Sequence, residues 1–168
     1  MAITNGNSID HTTAKNRVVY SSFNLWSGIL FGIGFAAFID EAVFHQILHW
    51  HHFYDKSTTD IGLVSDGIFH AFSWFATVGS LFMYANLRRR KGLWPKRWIG
   101  GAFLGAGAFQ LYDGLIQHKL MKLHQIRYGV DIFMYDLVWN IIALVFMAIG
   151  IYLLMKTRKT SNKIKTER

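Results

Sequence analysis

Residues 28–52 read GILFGIGFAAFIDEAVFHQILHWHH, and residues 101–125 read GAFLGAGAFQLYDGLIQHKLMKLHQ. The two stretches align without a gap at an offset of 73 residues, the mark of an internal repeat. Gly28, Gly32 and Gly34 fall on Gly101, Gly105 and Gly107, while Asp40, His45 and His51 fall on Asp113, His118 and His124. Each stretch opens as a glycine-rich apolar run and closes in ionisable residues. The segments that follow match more loosely: SDGIFHAF from Ser65 lies against YDLVWNII from Tyr135, which pairs Asp66 with Asp136 and His70 with Asn140.

A chain of 168 residues that is 52% apolar and 16% aromatic, with a single proline, is hard to fit to a soluble domain. Apolar segments run over about residues 23–50, 61–87, 98–121 and 132–155, and each exceeds the ~20 residues needed to cross about 30 Å of hydrocarbon. The predicted fold is all-α, an integral membrane four-helix bundle made of two repeated helical hairpins, residues 23–87 and 96–155 within a transmembrane domain at 23–155. Two spans per half bring both halves into the membrane in the same sense, related by a pseudo-twofold axis along the membrane normal. Residues 1–22 are a polar arm and 156–168 a basic tail, which leaves no room for a separate soluble domain. The arm lacks the pattern of a cleaved secretory signal, so the first span is expected to act as an uncleaved anchor. Without cysteine, disulfides and thiolate ligands are excluded.

A net charge of +8 raises the question of a nucleic-acid partner, and the positions of the basic residues answer it. Lys15 and Arg17 precede the first span; Arg88, Arg89, Arg90, Lys91, Lys96 and Arg97 fill the central loop; Lys156, Arg158, Lys159, Lys163, Lys165 and Arg168 follow the last span. Fourteen of the 18 Lys and Arg therefore share one side, which places both termini and the central loop in the cytoplasm. Such runs orient a membrane protein and meet anionic lipid of the bilayer; no nucleic acid is called for.

The repeated Gly28-x-x-x-Gly32 and Gly101-x-x-x-Gly105 remove side chains at one-turn spacing, so spans one and three are expected to cross closely there. Gly92, in the central loop, is expected to tolerate a side chain.

Asp40, Glu41, Asp55, Asp60, Asp66, Asp113, Asp131 and Asp136 fall on the opposite, outer side, as do seven of the eight histidines, His11 being the exception. An ionisable residue inside a span costs roughly 2.5–3.5 kcal/mol, so such residues face the bundle interior and pair, bind ions or do chemistry. At about 100° per residue, Glu41, His45, His49 and His52 lie within an arc of about 80° on one helix face, and Asp66-x-x-x-His70 adds a second one-turn pair. Imidazoles and carboxylates on facing helices are how bundles hold metal. The expected ligands are Glu41, His45, His49, Asp66, His70 and His118, supported by Asp40, Asp113, His124, Asp136 and Asn140. Gly114, Lys122 and Asn140 replace Glu41, His49 and His70 in the second half, so the first half is expected to carry most of the site. This donor set suits zinc, Cu(II) or iron, Met121 and Met134 keep Cu(I) open, and haem fits less well. Two other readings stay open: a hydrogen-bonded or proton-handling network without metal, and a zinc-dependent membrane hydrolase with Glu41 or Asp66 as base. The inner halves offer little beyond Asn24, Ser27, Ser80 and Asn86, which argues against a channel.

The run FIDEAVFHQILHWHH, followed by SDGIFHAF, an arginine-rich central loop and LYDGLIQHKLMKLHQIR, resembles a bacterial family of small four-span membrane proteins known as domain of unknown function 2243. The resemblance covers nearly the whole chain apart from the arm and the tail. It implies the bacterial plasma membrane and brings no established activity. Because members are often encoded near assembly factors for haem–copper oxidases, it also implies a metal-handling or respiratory-chain membrane partner.

Overall fold

The computed structural model describes residues 5–166, with side chains described for residues 12–160. Residues 1–4 and 167–168, with the side chains of His11, Lys163 and Lys165, lie outside the described residues. The described chain is all-α and contains five α-helices, α1 (Asn5–Val19), α2 (Ser21–Asp40), α3 (Thr59–Arg89), α4 (Pro95–Tyr112) and α5 (Phe133–Thr166). Two of them continue directly as π-helix: α2 into π1 (Glu41–Ile47) and α4 into π2 (Asp113–Met121). The polar arm is thus itself largely helical, which its lack of apolar periodicity did not announce.

Local signals set the boundaries. Thr58 caps α3 by accepting from the Ile61 N–H, and Arg88 and Arg89 occupy its last turn, where cations favour the negative end of the helix dipole. Pro95 opens α4, a position whose N–H is unpaired in any helix.

Three helical stretches are long and apolar enough to cross a membrane: Ser21–Ile47, Thr59–Arg89 and Phe133–Thr160. The third expected stretch, residues 98–121, is not among them. Glycines, Gln110, Gln117 and charged residues at both ends of α4 and π2 dilute its apolar content. In the bundle α4 lies between α2 and α5, while α3 packs on the far side of α2. The outer surface is apolar: Ile68, Phe75 and Phe82 are 68–73% exposed, as lipid contact requires and water disfavours.

The α2–α4 crossing rests on glycine. A Cβ on Gly28 would sit 2.2 Å from the Trp98 carbonyl oxygen, and one on Gly32 2.0 Å from that of Ala102. From the other side, Gly101 meets the Leu25 carbonyl at 2.6 Å and Gly105 that of Ile29 at 2.2 Å. Gly34 and Gly107 do the same work against the flanking helices, 2.6 Å from Thr77 N of α3 and 2.6 Å from the Ala143 carbonyl of α5. Gly92 departs from expectation: its Cβ would fall 2.4 Å from a Tyr20 ring carbon, because the central loop is packed beneath the start of α2. There the fully buried Asn24 donates to the Tyr20 and Gly92 carbonyls and accepts from the Trp94 N–H. Arg97 ties the same end together by donating to the Ser21 carbonyl and the Thr157 hydroxyl. The hydroxyls of Ser27, Ser73, Thr77 and Ser80 donate to carbonyls of their own helices.

Candidate metal centre

The two π-helices decide how the ionisable residues meet. Asp40 and His45 are five residues apart, as are Asp113 and His118. In an α-helix that spacing turns two side chains well away from one another, but i→i+5 bonding brings them onto one face. Accordingly His45 Nε2 lies 3.8 Å from Asp40 Oδ2 and His118 Nε2 lies 3.1 Å from Asp113 Oδ2. Gln46 follows the same rule, donating to Glu41 Oε1 five residues back at 2.7 Å. Both π-helices end alike: His49 and Lys122, 73 positions apart, adopt the left-handed conformation at φ 50° and 51°. The chain then folds back, with Trp50 N donating to the Phe44 carbonyl and Leu123 N to that of Gln117, each at 2.9 Å. That reversal carries His51 and His124 into the interior.

Four buried imidazoles gather there, His45, His51, His118 and His124, none more than 6% exposed. His51 Nδ1 donates to the Ile126 carbonyl at 3.0 Å and His124 Nδ1 to the Phe53 carbonyl at 2.9 Å. A carbonyl can only accept, so in both rings Nδ1 carries the proton and Nε2 is left with its lone pair. His45 Nδ1 is held by Asp66 Oδ1 at 3.1 Å, with Glu41 Oε2 close by at 2.9 Å but off the hydrogen-bonding direction, and His118 Nδ1 faces Asp136 Oδ1 at 3.8 Å. The Nε2 atoms of all four rings are buried without a hydrogen-bond partner; His118 Nε2 is near Asp113 but off the hydrogen-bonding direction. Buried lone pairs left unpaired are costly, and a ring oriented through Nδ1 by a carbonyl or carboxylate is the usual state of a metal-bound histidine.

Carboxylates surround the rings. Asp40, Glu41, Asp66, Asp113 and Asp136 are all buried. Asp66 is fully engaged, accepting from the Phe53 N–H and facing His45 and His52. Asp136 pairs with Lys119. Donor atoms of Glu41, His45 and Asp66, of Asp40, His45 and His51, and of His51, His118 and His124 each form a group within 4.8 Å, so these buried groups could hold a metal. Burial, reinforced by the neighbouring His124 and His45 rings, pushes the His51 pKa down to about 2, which keeps its lone pair available at any ordinary pH.

Of the residues the sequence suggests as ligands, His45, Glu41, Asp66 and His118 are brought together with Asp40, Asp113, His124 and Asp136. His49 and His70 are not. The face expected to carry His49 assumes an α-helix through residue 52, whereas the helix ends before it and His49 is the exposed turn residue. His70 is exposed on α3, its ring 5.7 Å from that of Phe38. Asn140 donates to the Asp136 carbonyl one turn back. His51 is central yet absent from the expected ligands; the signal that could have found it was its alignment with His124 at the offset of 73 residues.

An apolar cavity of about 880 Å3 opens along the side of the bundle between α2, α4 and α5, bordered by Phe35, Ile39 and Val138, and reaches Asp40.

Comparison with known families places residues 27–157 in the family described as "Predicted membrane protein (DUF2243)", and the chain belongs to it. No curated protein and no solved structure matches. The chain is accordingly a membrane protein in a lipid bilayer.

Proposed function

We propose that this protein is a four-span protein of the bacterial plasma membrane that binds a transition metal (zinc, copper or iron) at its outward-facing end, through the imidazoles of His45, His51, His118 and His124 with Asp40 and Asp113. The observation that carries the reading is the convergence of four buried Nε2 atoms without partners, three of them fixed in tautomer by an acceptor on Nδ1, which for His45 is Asp66. Imidazole and carboxylate without thiolate suit these metals. In this reading α4 with π2 is also a span, third in chain order, and the chain is two hairpins about a pseudo-twofold axis. Reciprocal contacts support that symmetry: His51 reaches the Ile126 carbonyl as His124 reaches that of Phe53, and Gly32 meets Ala102 as Gly105 meets Ile29. Each pair of partners is again 73 residues apart. The same reciprocity favours equal halves over a site weighted to the first, with Glu41 and Asp66 positioning His45.

Elemental analysis of detergent-purified protein without a histidine tag tests the reading. Stoichiometric metal is expected in the wild type and in His49→Ala and His70→Ala, and almost none in the His51→Ala/His124→Ala double variant. A metal-free wild type would leave the cluster a hydrogen-bonded network. Orientation is checked separately: reporters fused after Arg90 or after Arg168 should read as cytoplasmic and one inserted after Lys56 as exported. Reversal at any of the three would move the cluster to the other face.

A second reading, a zinc-dependent membrane hydrolase, is favoured by the cavity at Asp40, along which an amphiphile could bring its polar group to the cluster. Hydrolysis of lipid-soluble esters or amides by zinc-loaded protein, abolished by filling the cavity with Ala106→Trp while metal content is kept, would support it.

A further inference from the structure

We propose, resting on the metal reading above, that the cluster is a two-ion centre: one divalent first-row ion held by Asp40, His45 and His51, the other by Asp113, His118 and His124. Proximity alone groups His51 with His118 and His124, but ring orientation separates them. The His51 and His124 rings are stacked, 4.4 Å between centroids and 4° from parallel. An imidazole lone pair lies in the ring plane, and no point lies in two parallel, separated planes, so a single ion cannot be ligated in-plane by both. Within each half the geometry is the reverse. His45 and His51 stand 68° apart with centroids 4.5 Å from one another, and His118 and His124 77° apart at 4.7 Å. Planes at such angles intersect, and an ion on the line of intersection can take both lone pairs.

Each half also supplies its own carboxylate. Asp40 lies 3.8 Å from His45 Nε2, while Asp113 lies 3.1 Å from His118 Nε2 and 3.5 Å from His124 Nε2. Two histidines and one carboxylate, with coordination positions left open, form a set suited to Fe, Mn or Zn. Apart from the stacked His51–His124 pair, which no single ion can bridge in-plane, the ring separations between halves are longer than those within them, 6.1 Å for His45 to His124 and 6.2 Å for His51 to His118 between centroids. Ion pairs a few ångströms apart are the usual arrangement in two-metal sites.

Zinc per chain, measured after loading tag-free detergent-purified protein with Zn2+ and removing the excess, is the test. Two zinc are expected in the wild type, and one in each of Asp40→Asn/His45→Ala and Asp113→Asn/His118→Ala. One zinc in the wild type, lost entirely in both variants, overturns the two-ion centre and leaves the metal reading standing; none in the wild type overturns both. A readout independent of variant folding comes from Mn2+ loaded into the wild type. A spin-coupled electron paramagnetic resonance spectrum supports the pair, and signals of isolated ions alone overturn it.

Discussion

Replacing Gly32 by alanine is expected to open the α2–α4 crossing and to lower the unfolding free energy by more than about 3 kcal/mol, beyond the usual cost of an overpacked core. A single methyl is enough, because the Cβ would lie 2.0 Å from the Ala102 carbonyl oxygen and 2.7 Å from Ala106 N. These are backbone atoms of a neighbouring helix, so no side-chain rotation relieves the contact and α4 must move. Gly105→Ala should behave alike, since it meets the Ile29 carbonyl from the opposite direction. In lipid the helices gain nothing hydrophobic by staying together, so packing lost here is not recovered elsewhere. The controls are Gly67→Ala and Gly79→Ala on α3, where an added Cβ meets nothing within 4 Å; better helix propensity should leave these equal to the wild type or up to about 1 kcal/mol more stable. Unfolding in mixed micelles reads the difference. Four variants of equal stability would show that the crossing does not depend on contact between the two backbones.

How much of this was legible can be followed through the same residues. The glycines, Asp40 with Asp113, and His45 with His118 were readable because close approach and buried charge leave few alternative residue types. Period was where the reading failed. A regular α-helix assigns His49 and His52 to the face of Glu41 and His45, yet from Glu41 onwards the helix is π. The five-residue step from Asp to His in both halves is the trace of that change, and it is ambiguous without knowledge that the backbone bonds i→i+5. His51 and His124 sit beyond a left-handed reversal at His49 and Lys122. Neither residue type signals such a turn as glycine would, so the inward course of the following chain was hidden. The amino-terminal helix was missed for a different reason, since α1 is polar all round and offers no apolar stripe to detect.

Asp66 should separate the architecture of the outer end from its affinity for metal. Its Oδ1 accepts from the Phe53 N–H at 2.6 Å and stands 3.1 Å from His45 Nδ1, while Oδ2 is 2.6 Å from His52 Nδ1. One carboxylate on α3 thus pins the segment after π1 and orients an imidazole of the cluster. Asp66→Ala strands these donors at a buried position, and bonds to a charged acceptor are worth about 1.5–3 kcal/mol each, with incomplete additivity; a loss of about 3–5 kcal/mol is expected. Asp66→Asn should differ. Its oxygen still accepts from Phe53, and the half-exposed His52 can move its proton to Nε2 and accept from the new amide, so most of the stability returns. The negative charge does not return. His45 Nδ1 keeps the amide oxygen as an acceptor but loses the negative charge that raises its basicity, and the loss of such a supporting carboxylate weakens metal binding by about 10–100-fold. Unfolding in micelles and competition with a chelator measure the two quantities independently. If Asp66→Asn binds metal as tightly as the wild type, Asp66 only fastens the loop; if it is as unstable as Asp66→Ala, the bonds depend on the charge itself rather than on an acceptor at that place.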